Sequence, residues 1–200
     1  MKKIETIWHH LLWSVLEKKD YKYTQVYLAR YFSYSLSTVN LAIRKLSEIG
    51  AVRVSGKFFV VSDFKKILFY WATHRKLNKD IIYQTRIDLP VLEIEGLIPP
   101  QGIFAGFSAA RQILNESPAD YSKVFFYLNQ KDIVLAQKRF PEAKNKAQNN
   151  IFILKSYPGQ INYGKTATIP QTFVDIWSLS DWYAKDFVAN LEEKIDGLLP

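Results

Sequence analysis

Between Tyr23 and Lys57 the chain gathers side chains suited to reading a polyanion rather than to breaking a bond. At 100° per residue, a helix following Ser35 collects Val39, Ala42, Ile43, Leu46 and Ile49 on one face. The opposite face carries Ser37, Asn40, Leu41, Arg44 and Glu48. Its first turn is small enough to enter a major groove, and amide and guanidinium groups make bidentate hydrogen bonds to adenine and guanine edges. Thr38 and Lys45 stand at the flanks, placed for phosphates. Tyr23, Thr24 and Gln25 would open the preceding helix, offering backbone N–H groups and hydroxyls to a sugar–phosphate chain. Arg53 and Lys57 would sit near the tip of a hairpin beside the helix.

Rival chemistries find fewer of their parts. Eleven residues separate Gly106-Phe107-Ser108 from Asp120-Tyr121-Ser122, which precedes an apolar run. A glycine–serine turn ahead of paired carboxylates is the arrangement by which nucleotidyltransferases hold the metal ions that bridge a triphosphate. Ser122 stands where the second carboxylate is needed, so an enzyme or a degenerate relative acting through Asp120 is the alternative reading. His9 and His10 are adjacent and diverge on a helix, and His74 has no visible carboxylate or serine partner. Glu93 and Glu95 would share one face of a strand, which a solvated edge explains equally well. Asp175 is expected to be a structural acceptor, and Lys144 and Lys146 to lie in a solvated loop. With no cysteine, thiolate metal sites, disulfides and a thiol nucleophile are excluded. No catalytic set, metal or cofactor is expected.

The elements that must position these residues are legible from periodicity and capping. Ile4, Ile7, Trp8, Leu11, Leu12, Val15 and Leu16 form an apolar stripe on a first helix. Thr24 caps a second helix through Phe32, Ser33-Tyr34-Ser35 breaks it, and Ser35 caps the third, which runs to Ile49 before Gly50. Residues 51–61 read as two strands joined at Ser55-Gly56. Ser62 then caps a fourth helix burying Phe64, Ile67, Leu68, Trp71 and Leu77.

Beyond a handover in Leu77–Asp88, Val91–Ile98 reads as an extended segment and Phe104–Asn115 as a helix. Val124–Leu128, Ile133–Ala136 and Ile151–Lys155 read as strands. Pro170 opens a helix through Trp177, and Ser180 caps a last one from Asp181 to about Ile195.

Charge divides the chain at the same place. Residues 1–80 carry 15 Lys and Arg against 6 Asp and Glu, and residues 81–200 carry 12 against 13. A basic first part joined to a neutral second is the footprint expected of nucleic-acid binding. No apolar run is long enough to span a membrane and no signal peptide is visible, so a cytoplasmic protein without a membrane partner is expected.

The stretch Ser35–Val52, with Ser37-Thr38-Val39 at its start and Arg44-Lys45-Leu46 before Gly50 and Val52, resembles the helix and wing entry of winged-helix regulators. The segment Thr166–Trp177 is similar to one in AbiEi-type antitoxins of type IV toxin–antitoxin systems. The fold expected is α+β: an N-terminal winged helix-turn-helix domain over residues 1–80, then a small mixed α+β domain over residues 81–200. The resemblance implies an autoregulating repressor bound to double-stranded DNA, with a nucleotidyltransferase-like toxin as protein partner. One small unit buries little DNA surface, so a homodimer or two adjacent sites is expected. A protein-interaction module that binds no DNA is the remaining alternative.

Overall fold

The computed structural model describes residues 1–143 and 148–199. The chain is mixed α and β and divides into two compact units, one of Met1–Arg75 with the last residues from Leu198, the other of Lys76–Gly197.

In the first unit, helix α1 (Lys3–Lys18) is buried around most of its circumference, not along one stripe alone. Helices α3 (Leu36–Glu48) and α4 (Phe64–His74) pack on it. This burial takes in polar groups, each with a partner. The Trp8 indole N–H donates to the Ala42 carbonyl at 3.1 Å. The Glu5 carboxylate lies 3.5 Å from Arg75 Nη1 and accepts from the Trp71 indole at 3.4 Å, with Glu5 and Arg75 both buried.

Helix α2 (Gln25–Phe32) begins where Thr24 accepts the Tyr27 N–H at 3.1 Å, and stops at Ser33, which takes a left-handed φ of 54°. Ser35 accepts the Thr38 N–H at 3.3 Å and so opens α3. These caps satisfy N–H groups that a helix start otherwise leaves unpaired.

Three antiparallel strands complete the unit: β1 (Lys22–Tyr23), β2 (Val52–Ser55) and β3 (Phe58–Val61), in the order β1-β3-β2. The hairpin loop is Gly56-Lys57 rather than Ser55-Gly56, since Ser55 pairs with Phe58. Gly56 has φ +56°, the positive angle such a loop wants at its first position. Helix α4 is capped by Asp63, not Ser62: Asp63 Oδ1 accepts the Lys66 N–H at 3.0 Å, and the Ser62 hydroxyl donates to the Gly50 carbonyl. Leu77 is buried, but it lies past the end of α4.

The second unit is built on a four-stranded sheet of β4 (Ile81–Thr85), β5 (Ile103–Ala105), β6 (Val124–Leu128) and β7 (Ile151–Lys155). The order is β4-β7-β6-β5, with only β6 and β7 parallel. On one face Phe126, Leu128, Ile151 and Ile153 pack with Ile94 of α5 (Val91–Gly96) and Ala136 of α7 (Ile133–Arg139). On the other, Phe125 meets Phe107 of α6 (Gly106–Leu114), and Tyr127 donates its hydroxyl to buried Asp175 of α8 (Ile169–Trp177) at 2.6 Å. A last helix, α9, spans Ala184–Leu198. Such burial on both faces is why β6 has no polar alternation.

Several sequence expectations are corrected here. Residues 91–96 are helical, not extended, so Glu93 and Glu95 do not line a strand; Glu93 is exposed and Glu95 buried. Glu95 accepts from Arg111 Nη2 and from the Tyr121 hydroxyl, both at 2.5 Å, and these distant partners permit the burial. Residues 133–136 belong to α7, where Ala136 turns inward while Val134 and Leu135 stay exposed. Phe104 lies in β5 ahead of α6 instead of opening the helix. Helix α9 starts at Ala184, three residues after Asp181. Strands β1 and β4 had no sequence counterpart.

Candidate nucleic-acid interface

The sharpest contrast in the first unit is between the two faces of α3. Val39, Ala42, Ile43 and Leu46 are fully buried, which fixes the helix rotation. Ser37, Asn40, Leu41, Arg44 and Glu48 are exposed, as the periodicity requires; Ile49, assigned to the inner face, follows the helix end and is half-buried.

At the N-terminal end of α3 the hydroxyls gather on Ser35. Ser35 Oγ lies 3.0 Å from Ser37 Oγ and 2.9 Å from Thr38 Oγ1 while also capping the helix. One turn on, Asn40 Nδ2 donates to Gln25 Oε1 at 3.3 Å, joining α3 to the first residue of α2. Arg44 Nε lies 3.6 Å from Glu48 Oε1, each side chain being 64% exposed. An exposed pair at that spacing contributes only about 0.3–0.5 kcal/mol, so the guanidinium remains free to exchange partners. Lys45 is half-buried at the flank.

Of the other sequence-predicted residues, Thr24 is exposed but its hydroxyl oxygen already serves as a cap, and Gln25 is half-buried. Arg53 on β2 and Lys57 in the hairpin loop are both exposed. Tyr23 is the exception. It sits in β1 opposite Phe59, is 4% exposed, and donates its hydroxyl to the Asp20 carbonyl at 2.6 Å. Burial pushes its pKa up to about 12. Tyr23 therefore belongs to the core and not to a phosphate-contacting surface.

Sequence reasoning passed over some exposed side chains of the same elements. Leu36 at the first turn of α3 is 53% exposed, and Tyr27, Arg30 and Tyr31 are exposed on α2. Lys22 lies with Nζ 3.9 Å over the Phe58 ring. The available signal was the short length of α2, in which only Leu28 is buried.

Behind this surface His9 and His10 are buried in α1. Desolvation pushes His9 down to about 3, aided by His10, and His10 down to about 4, against the opposing pull of Asp20. Both are neutral at pH 7, so the cationic character of the unit comes from Lys and Arg.

The residues considered for nucleotidyl transfer are not arranged as a pair of carboxylates. Asp120 is exposed, while the Ser108 hydroxyl is buried in α6 without a partner among the described residues. No group of three or more His, Asp or Glu that could hold a metal ion occurs among the described residues. Lys144 and Lys146 lie outside the described residues. No helix among the described residues is long and apolar enough to cross a membrane. No protein-family model matches the chain, and no curated protein matches it.

Proposed function

We propose that the chain is a sequence-specific DNA-binding regulator whose first unit acts as a winged helix-turn-helix. One observation carries the reading: α3 is buried on its apolar face and exposes Ser37, Asn40 and Arg44 on the other. Helix α2 would lie across the backbone with Thr24 and Gln25, and the β2–β3 hairpin would bring Arg53 and Lys57 to phosphates. The excess of nine positive charges in residues 1–80 supports the same partner.

Within that class we place the protein with AbiEi-type antitoxins, as an autoregulating repressor acting in the cytoplasm. Support comes from Thr166–Trp177, where Thr168 caps α8 and Phe173, Val174 and Asp175 are buried. The second unit would then hold a nucleotidyltransferase-like toxin or a second copy of the chain, with no catalytic role and no cofactor.

The test is fluorescence anisotropy of the full chain on the DNA upstream of its own gene, against a scrambled duplex, over about 50–300 mM salt. A preference of about 10³ or more supports the regulator. Equal, steeply salt-dependent binding to both duplexes removes autoregulation, and no binding at low salt removes the DNA reading in favour of a protein-interaction module.

A further inference from the structure

We propose that Asn40 is the specificity-determining residue of the α3 face, with Gln25 as its positioning residue, and that together they read an adenine flanked by thymines. This rests on the DNA-binding reading above and names the site that reading leaves open.

The side chains on the outer face of α3 differ in the hydrogen-bonding edges they present. The Ser37 and Thr38 hydroxyls each lie within hydrogen-bond distance of Ser35, and each offers one oxygen rather than a donor and an acceptor on separate atoms. Arg44 can exchange Glu48 for another partner, but its guanidinium carries donors only and cannot set a donor beside an acceptor. Asn40 differs: its amide has two N–H donors and a carbonyl, and only one N–H is taken, by Gln25 Oε1. The other N–H and the carbonyl oxygen have no partner among the described residues, and on DNA the two would face one base edge together. Rotating the Asn40 amide alone would set Oδ1 against Gln25 Oε1, acceptor against acceptor, so Gln25 biases which way the pair faces.

A side-by-side donor and acceptor match only one base in the major groove. Adenine offers the N7 acceptor and the N6 amino donor, whereas guanine offers two acceptors and cytosine an amino donor without an adjacent acceptor. On either side of Asn40 the helix carries exposed apolar groups, Leu36 at 53% and Leu41 at 38%. Apolar side chains in the groove contact the thymine 5-methyl group. The three residues therefore select A·T pairs, with Asn40 on the adenine.

Full-length protein is first used to select duplexes from a randomised pool, and the selected duplex is then remade with 7-deazaadenine, which lacks N7, or with uracil for thymine. Asn40→Ala is expected to lower the preference over scrambled DNA by about 10- to 100-fold, the worth of one bidentate pair. Gln25→Ala should lower the ratio of specific to scrambled binding about 3- to 10-fold, whatever its loss of a backbone contact costs on every duplex, consistent with acting through Asn40. Gln25→Glu keeps the acceptor and should keep the preference while weakening binding to every duplex.

Removing N7 should cost the wild type about tenfold and the Asn40→Ala variant nothing. Uracil should cost the wild type more than it costs Leu41→Ala. A selected site without a fixed adenine overturns the proposal, as does an N7 penalty equal in wild type and Asn40→Ala. So does a preference that Gln25→Ala leaves unchanged. A pool that yields no enriched duplex refutes sequence-specific binding itself, and the adenine assignment falls with it.

Discussion

Lowering the pH from about 7 to about 5 is expected to destabilise the first unit through His9 and His10. Their folded-state pKa values lie at about 3 and about 4, below the 6.5 of an unfolded chain. Above pH 6.5 both states hold neutral imidazoles, so neither histidine adds a pH dependence there. As the pH falls below 6.5 the unfolded chain takes up protons that the folded state refuses, and stability declines until the folded pKa values are reached. At 1.36 kcal/mol per pH unit, the loss between pH 7 and pH 5 is about 2 kcal/mol for each histidine. Against a typical total of about 5–15 kcal/mol, that is a large fraction.

Urea denaturation followed by circular dichroism at the two pH values measures it, and NMR titration of the imidazoles assigns it. Phenylalanine at both positions should flatten the dependence, since His9 packs on Trp71 at 5.9 Å between ring centroids and His10 on Tyr31 at 4.6 Å. Imidazole pKa values near 6.5 in the folded protein would refute the reasoning, as would a double variant that loses as much stability as the wild type.

Other outcomes are as definite. Glu5→Gln removes one carboxylate from the buried Arg75 guanidinium and should cost about 1–3 kcal/mol in urea unfolding; no measurable loss would show that the contact adds nothing to the fold. Arg53→Ala and Lys57→Ala should each weaken binding to all duplexes alike and lower the slope of log K against log salt by about 1, and a change in sequence preference would contradict their assignment to phosphates. Gly56→Ala places a side chain at φ +56° in the hairpin loop and should cost roughly 1–2 kcal/mol, read as a thermal shift; no shift would mean the loop adopts another turn.

Much of the first unit was legible because its signals are local. Thr24 and Ser35 each cap a helix by accepting an N–H three residues on, and the α3 stripe repeats every three or four residues. The same reasoning located α8 from Pro170, although Thr168 proves to be the cap, and the buried strands β6 and β7. It failed where a short segment had two acceptable conformations. Val91–Ile98 alternates apolar and acidic residues as a strand would, yet it is helical with Glu95 inside, because Arg111 and Tyr121 supply the partners. Ile133–Ala136 has β-branched residues but lies in a helix whose inward residue is Ala136.

The sequence by itself therefore determined the starts of α2 and α3, the polar outer face of α3 and the division of charge, all of which depend on neighbours within a turn or two. Only the tertiary structure decided that Tyr23 is a core residue pairing with Phe59, that the two adjacent histidines are both buried, and that Asn40 meets Gln25 fifteen residues away. Hydrogen bonds and desolvation between segments are set by packing, and residue types alone do not say which distant group will stand opposite.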